Sequence, residues 1–276
     1  MDGDWFTRCG HCHLHWGRHG AAGLLAASAG QVLLQQRAGP ASGAGTWGLF
    51  GGARHSDEDP VTAALRETAE ESTLPIDEVR VHGIATEDHG DWAYHTVFGT
   101  VPEPVAVRPA SWETAAAAWV PEDEVARWSL FEPFGNAWPR LRPGLRRPVL
   151  VVDCANVMGA RADGWWRDRA GAAGRLRDDL GEVARCGTTG IDPFDRCLPE
   201  VVLVVEGAAR GIGPGETGVR VVDAPRVGDD AIVEQVELAG PDTRPIVVTA
   251  DRALRERCRV AGAAVLGPRW LLDRLG

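Results

Sequence analysis

The chain has 276 residues, which is enough for two domains rather than one minimal core. It contains no lysine, so a lysine-dependent phosphate loop and Schiff-base catalysis are both excluded. The formal net charge is −10, and most of it lies before residue 142, which favours metal ions over bare polyanions as partners of that half.

The N-terminus begins with acidic and polar residues rather than a basic stretch followed by an apolar one. No apolar run reaches the ~20 residues that a membrane span needs. We therefore expect no secretory signal and no membrane partner, and the sequence predicts a cytoplasmic protein. It predicts nothing about the oligomeric state.

Cysteines and histidines cluster in the first nineteen residues. Zn²⁺ needs about four nitrogen or sulfur ligands, and a local set could supply them: Cys9, Cys12, His13 and His15. A second CxxC motif, as in a zinc ribbon, is absent. Two interpretations stay open for the segment 1–19: a Zn²⁺ site, or residues that only happen to be neighbours in sequence.

An α/β pattern follows from residue 20. A strand is predicted at 31–36, and a glycine-containing stretch runs from Trp47 to Gly52. Asp59 as N-cap and Pro60 at the first helical position predict a helix over 60–72. Further strands and helices are predicted at 79–84, 94–101 and 131–141 and around Trp119.

The predicted helix has two faces. Its buried stripe consists of residues at helical spacing: Val61, Ala64, Leu65 and Thr68. Glu67, Glu70 and Glu71 cluster on another face, where like charges repel unless a divalent cation sits among them. Arg66 lies four residues before Glu70, close enough to orient it. The alternative is a solvated acidic helix.

The spacing of this region, which begins at Gly52, resembles the Nudix box, whose charged positions are all filled: Glu58, Arg66, Glu67, Glu70 and Glu71. Thr73 stands where the family usually has glycine, and Thr68 at an aliphatic position. The resemblance implies an α/β/α sandwich with a mixed sheet over residues 20–142.

The resemblance also implies residue roles. Glu67, Glu70 and Glu71 would bind Mg²⁺ or Mn²⁺, with Glu58 supporting the metal site and Arg66 positioning the glutamates. The metal would stabilise charge on phosphate oxygens and lower the pKa of the attacking water. The backbone of Gly51 and Gly52 would pass close to the diphosphate. Glu113 is the candidate for an assisting carboxylate outside the box, ahead of Glu87 and Asp88.

The implied activity is hydrolysis of a nucleoside diphosphate linked to a group X, with a nucleotide as substrate. Some members of the family only bind their nucleotide. The second hypothesis is therefore a nucleotide-sensing protein with a non-catalytic Nudix domain, whose C-terminal domain binds RNA.

A change of pattern separates the two halves. Prolines and charges between residues 143 and 148 predict a linker. Continuous apolar runs at 149–152, 201–205 and 245–249 are typical of strands buried on both faces. Helical stretches lie between them, at 165–180, 230–238 and 253–261. This alternation predicts a parallel α/β sheet over residues 149–276.

Acidic residues follow the predicted strands of the second half. Asp153, Glu206 and Asp251 come at strand ends, and Asp230 begins a helix. Parallel sheets present ligand sites at the carboxyl ends of their strands, so these acids could form a two-metal nuclease site. The alternative is that they are helix caps and loop acids; Asp251 in particular could simply cap its helix.

The arrangement resembles the PIN-like (NYN) nucleases over residues 148–276. The resemblance implies a mainly parallel sheet flanked by helices, metal binding by Asp153, Asp230 and Asp251, and RNA as a partner. The weaker metal candidates are Asp229, Glu206 and Glu234. Trp165 and Trp166 could stack on unpaired bases, although packing in the core is the preferred interpretation.

Overall fold

The computed structural model describes the chain except for residues 1–2, 4, 11–12, 40–42, 162–163, 217 and 276. The chain divides into two compact units. The first consists of residues 1–145 and 190–196, and the second of residues 146–189 and 197–276. In the part of the chain described, every helix is too short or too polar to span a bilayer.

The first unit contains nine strands and two α-helices among the described residues. They are β1 (Phe6–Arg8), β2 (Leu14–Trp16), β3 (Ala21–Ser28), β4 (Gln31–Arg37), β5 (Trp47–Gly48), β6 (Phe50–Ala53), α1 (Pro60–Glu71), β7 (Arg80–Asp88), β8 (Ala93–Thr100), β9 (Thr114–Pro121) and α2 (Glu132–Leu141). The predicted helix at 60–72 and the predicted strands are all present, with ends that differ by a few residues.

The main sheet of the first unit is mixed, as predicted. β3 pairs parallel with β8 and antiparallel with β4 and β6, while β7 pairs antiparallel with β8, and β9 with β4. β1 and β2 form a separate antiparallel hairpin. All eight residues of β3 are buried, as expected for a central strand covered on both faces.

Helix α1 packs on this sheet through its small side chains. Ala63 and Ala64 belong to the same apolar cluster as Ala22 and Phe50. Thr68 is fully buried, and its Oγ1 donates to the carbonyl oxygen of Ala64 at 2.7 Å. This bond satisfies the hydroxyl, which is why threonine is tolerated at an aliphatic position.

Residues 190–196 complete the first unit although they come late in sequence. The Phe194 ring lies edge-on to the Phe98 ring, with centroids 5.0 Å apart. A Cβ on Gly83 would meet Phe194 Cδ1 at 2.2 Å, so this glycine makes room for the ring. The backbone N–H of Asp195 donates to Ile84 O at 2.9 Å. The sequence boundaries 20–142 and 149–276 do not foresee this segment.

The stretch predicted as a linker is folded instead. A 3-10 helix covers Arg142–Leu145, and the next strand begins at Arg147. Leu145 is buried, and His82 Nε2 contacts Gly144 O at 2.9 Å. The boundary between the two units nevertheless falls inside this stretch, after Leu145, so the predicted position of the division agrees with the structure although the stretch is folded.

The second unit alternates strands and helices. Its elements are β10 (Arg147–Asp153), α3 (Cys154–Gly159), α4 (Arg169–Cys186), β11 (Arg196–Cys197, which begins in the first unit), β12 (Glu200–Val205), β13 (Arg220–Asp223), α5 (Gly228–Glu237), β14 (Thr243–Val248), α6 (Arg252–Val260), β15 (Ala264–Leu266) and α7 (Pro268–Leu272).

The sheet of the second unit has the order β13-β12-β10-β14-β15, and every pair in it is parallel. The predicted parallel sheet is therefore confirmed. The chain fills one side of β10 with β12 and β13, and then crosses to the other side for β14 and β15. Such a reversal opens a crevice at the carboxyl end of the central strand, where α/β proteins bind ligands.

Candidate functional site

Helix α1 is capped at both ends by its own side chains. Asp59 Oδ1 accepts from the backbone N–H groups of Val61 and Thr62 at 3.0 and 3.2 Å. At the other end Ser72 has an extended backbone, and its Oγ donates to Thr68 O at 2.7 Å. Because this end needs no left-handed residue, threonine in place of the family's glycine at position 73 leaves the helix intact.

Arg66 organises the carboxylates of this region. Its Nε and Nη2 donate to the two carboxylate oxygens of Glu58 at 2.8 and 2.9 Å, a bidentate pair. Its Nη1 donates to Glu67 Oε1 at 2.8 Å and, weakly, to Glu70 Oε1 at 3.5 Å, and Nη2 also reaches Ala53 O at 2.9 Å. The hydrogen bond to Arg66 lowers the pKa of Glu58. Arg66 therefore fixes two acids at once.

Glu71 lies in a different environment, with only 7 % of its surface exposed. Its Oε2 accepts from Gly51 N at 3.2 Å and from Gln35 Nε2 at 3.0 Å. Burial raises the pKa of Glu71 to about 7 despite these bonds, and the nearby carboxylates of Glu67 and Glu113 raise it further. A buried carboxylate beside two others is a position at which a cation would relieve a large energetic cost.

The three helix glutamates are not equivalent. Glu67 and the predicted assisting residue Glu113 both act electrostatically on Glu71 and raise its pKa. Glu70 is 49 % exposed, and Arg66 is its partner. Glu71 is therefore the buried member of the group, within electrostatic reach of Glu67 and Glu113, and Glu70 lies at the solvent side. The helical spacing predicted the shared helix but not this difference in burial.

Two glycines make the close approach of strand and helix possible. Gly51 and Gly52 both lie in strand β6. A Cβ on Gly51 would meet Ala22 O at 2.3 Å, in the neighbouring strand. A Cβ on Gly52 would meet Glu67 Oε2 at 2.5 Å. Gly52 therefore leaves space for the Glu67 carboxylate, and Gly51 leaves space for the backbone of the neighbouring strand β3.

A second group of acids lies at the carboxyl edge of the parallel sheet. Asp153 is buried at the end of β10, where its carboxylate accepts from Asn156 N at 3.0 Å, Asn156 Nδ2 at 2.7 Å and Thr249 Oγ1 at 2.8 Å. Burial raises the pKa of Asp153, and the charge of Asp229 adds to the effect. The pKa of Asp229 is in turn raised, first by its own burial, then by the charge of Asp251 and to a smaller extent by that of Glu206.

Asp230 does not belong to this group. Its side chain is 72 % exposed and forms an ion pair with Arg257 at 2.7 Å. Asp229, rather than the predicted metal residue Asp230, is therefore the partly buried aspartate at this edge, because the first turn of α5 directs adjacent side chains to different sides. Glu234, a weaker candidate, is also exposed.

Two of the acids also have structural partners. Asp251 Oδ1 accepts from Leu254 N at 2.8 Å and caps α6, as the alternative interpretation predicted. Glu206 Oε2 accepts from Gly228 N at 2.7 Å. Each of these bonds uses one carboxylate oxygen.

The tryptophan pair differs from the preferred interpretation. Trp166 is 60 % exposed, so its predicted place in the core is wrong. Trp165 lies under the Arg169 guanidinium at 5.4 Å. Trp165, Arg169 and Glu206 line the same cleft of the second unit.

The predicted zinc residues are brought together only in part. Ligand atoms of Cys9, His13 and His15 lie within 4.8 Å of one another, together with that of His89. Cys12 lies outside the described residues. His89 was missed by sequence reasoning, because it comes from the turn between β7 and β8 and no local spacing points to it.

The fold of the first unit and the carboxylates around Arg66 can be compared with those of known protein families. The NUDIX domain family matches residues 17–141. A protein of Mycobacterium tuberculosis, named as a putative 8-oxo-dGTP diphosphatase, is 40% identical over 152 residues, which are 51% of this chain and 70% of that protein. The chain therefore belongs to the NUDIX family.

Two further relatives complete the comparison. A nucleoside triphosphate pyrophosphatase/Nudix hydrolase fusion protein of Bifidobacterium longum is 38% identical over 150 residues, and the match covers 50% of this chain but only 30% of the fusion protein. The crystal structure of the M. smegmatis Nudix hydrolase RenU is 38% identical, covers 51% of this chain and 94% of RenU, and has a TM-score of 0.47.

Proposed function

We propose that the domain at residues 20–142 hydrolyses the diphosphate linkage of a nucleoside diphosphate linked to a group X, with Mg²⁺ or Mn²⁺ bound by Glu67, Glu70 and Glu71. The observation that carries the proposal is the arrangement around Arg66, which holds Glu58 and Glu67 by short hydrogen bonds beside Gly52. The donor set fits these ions, since both prefer hard oxygen ligands.

The side chains divide the work between them. Bound metal would stabilise negative charge on the phosphate oxygens and make water a better nucleophile. Arg66 positions Glu67, and Glu58 holds Arg66 in place from the other side. Glu113, whose charge acts on Glu71, is the proposed assisting carboxylate and would accept the proton of the attacking water. The backbone of Gly51 and Gly52, close to the Glu67 carboxylate, is the proposed place where β6 approaches the diphosphate.

The substrate proposal starts from nucleoside triphosphates. The M. tuberculosis relative carries 8-oxo-dGTP in its name, which supports testing that nucleotide first.

The test is a turnover assay on the full chain with Mg²⁺ and a panel of 8-oxo-dGTP, ordinary nucleoside triphosphates, dinucleoside polyphosphates, ADP-ribose and capped RNA. Glu70→Gln is expected to lower kcat/KM by about 100-fold, since loss of one metal ligand is worth several kcal/mol. Glu78→Gln is the matched control, because Glu78 is an exposed glutamate just beyond the helix. It should leave the rate unchanged.

The competing hypothesis has a distinct outcome. If no member of the panel is hydrolysed, but a nucleotide binds equally to wild type and to Glu70→Gln, the chain is a nucleotide sensor. In that case the exposed Trp166 and the cleft with Arg169 would support RNA binding by the second unit.

For the domain at 149–276 we propose a PIN-like, metal-dependent ribonuclease. Support comes from the parallel sheet and from the acids at its carboxyl edge, where Asp229 interacts electrostatically with the other three: Asp153, Glu206 and Asp251. The test is Mn²⁺-dependent cleavage of single-stranded RNA. Asp153→Asn should lower the cleavage rate by about 100-fold. Cleavage by the variant at the wild-type rate would contradict the assignment.

A further inference from the structure

Four potential ligand atoms of the first unit converge near the N-terminal hairpin. Cys9 lies in the turn between β1 and β2, His13 and His15 follow it, and His89 lies in the turn between β7 and β8. One thiol sulfur and three imidazole nitrogens lie within 4.8 Å of one another. In tetrahedral zinc sites, Zn–S bonds of ~2.3 Å and Zn–N bonds of ~2.0–2.1 Å put ligand atoms about 3.3–3.8 Å apart. Small side-chain movements would close the difference.

The surroundings of His15 provide an independent observation. Its Nε2 atom is buried, and it has no hydrogen-bond partner among the described residues. A buried polar atom without a partner is costly and rare in a folded protein, unless an ion or water satisfies it. A metal ion at the centre of this cluster would satisfy it.

The ring of His15 is held in place from behind. It stacks on Trp92 with ring centroids 3.9 Å apart and an interplanar angle of 10°. Trp92 is itself fixed, because its Nε1 donates to Gly17 O at 2.8 Å and its ring is buried against Cys9 and Ala21. The ligands on the hairpin therefore rest on a rigid support, which favours a preformed site.

The fourth group, His89, has its own orienting contact. Glu87 Oε1 lies 3.3 Å from His89 Nε2. Carboxylates commonly orient ligating imidazoles in this way. The cluster combines a buried thiol with three imidazoles, which is a donor set suited to Zn²⁺ and poorly suited to Mg²⁺.

We propose that Cys9, His13, His15 and His89 bind one structural Zn²⁺ ion that fastens the β1–β2 hairpin to the β7–β8 turn. Four protein ligands leave no coordination position open, so this ion takes no part in hydrolysis. The site is separate in ligands and metal from the glutamates of α1. It revises the ligand set expected from the sequence, with His89 in place of Cys12.

The experiment measures zinc bound to the full chain after purification without a metal-affinity tag. Wild type is expected to hold one Zn²⁺ per chain. His89→Asn should weaken Zn²⁺ affinity by at least about tenfold, as for the loss of a group that shapes a metal site. Cys12→Ser and His19→Asn are matched controls from the same segment, and both should keep one ion per chain.

Replacement of Zn²⁺ by Co²⁺ in the wild-type protein gives a readout that needs no variant to fold. A tetrahedral cobalt site with one cysteine should show strong visible bands and a thiolate charge-transfer band in the near ultraviolet, and Cys9→Ser should lose the latter. Wild-type protein without these bands would overturn the proposal. So would retention of zinc by His89→Asn together with its loss from Cys12→Ser.

Discussion

The two groups of carboxylates in this protein are held by opposite means. At α1, the charged side chain of Arg66 bonds three acids, Glu58, Glu67 and Glu70. At the edge of the parallel sheet, neutral donors fix them: Asn156 and Thr249 bond Asp153, and a backbone N–H of α5 bonds Glu206. The first arrangement joins acids that lie close together in sequence, from Glu58 to Glu70, whereas the second exists only once the strands of the parallel sheet are in order. Four experiments test how far this contrast reaches.

The largest effect is expected from Glu71, on the pH dependence of the stability of the metal-free protein. Its pKa rises from 4.5 to about 7 on folding because of burial, so the folded state binds the extra proton between these pH values. Stability is therefore lost as pH rises from about 4.5 to about 7, by about 3 kcal/mol in total. Glu71→Gln should match wild type at the acid end and exceed it by this amount above pH 7.

Chemical denaturation in the presence of EDTA measures this difference. Added Mg²⁺ should narrow it, because the cation favours the charged carboxylate of the wild type. Identical pH profiles for wild type and Glu71→Gln would show that Glu71 is not a desolvated acid.

Replacement of Arg66 tests the helix arrangement directly. Arg66→Ala should lower kcat/KM by about 10–100-fold, because Glu67 loses its positioning partner and Glu58 its bidentate contact. Arg66→Lys should recover only part of the loss, since an ammonium cannot form the fork. Mg²⁺ titrations of the rate should show a weaker apparent metal affinity in both. Full activity in Arg66→Ala would leave the positioning role without support.

Substitutions of two neighbouring aspartates test which acids at the carboxyl edge of the parallel sheet contribute to RNA cleavage. Asp229→Asn should lower Mn²⁺-dependent RNA cleavage by at least about tenfold, because Asp229 faces the acidic group, where it would meet a metal. Asp230→Asn should leave cleavage unchanged, since Asp230 is exposed and paired with Arg257. Rates of cleavage measured side by side decide the point. The reverse order of effects would restore the sequence-based choice of Asp230.

The adjacent glycines of β6 separate a catalytic effect from a structural one. Gly52→Ala should lower kcat about tenfold with little loss of stability, because its Cβ displaces the Glu67 carboxylate, the flexible end of a side chain. Gly51→Ala should instead destabilise the fold by about 1–3 kcal/mol, since its Cβ meets strand backbone. Paired measurements of kcat and thermal unfolding check both. Equal effects of the two substitutions would contradict the division.

The same contrast explains what the sequence could predict. Helix α1, its Asp59 cap and the spacing of Glu67, Glu70 and Glu71 depend on neighbours along the chain, so composition and periodicity were sufficient. The continuous apolar runs likewise predicted buried parallel strands. The partial exposure of Glu70, the choice of Asp229 over Asp230, and the approach of His89 to Cys9 all depend on tertiary geometry. No pattern of spacing within the sequence carries that information.

The late segment with Phe194 has a practical consequence for dissecting the protein. A fragment that stops at residue 145 would lack the ring beside Phe98 and would leave a gap above Gly83. Lost aromatic packing of this kind commonly costs several kcal/mol. Truncation after residue 145 would thus destabilise the unit that it was meant to isolate. A drop in the activity of the fragment would then reflect the loss of Phe194 from the core and not the loss of a catalytic group.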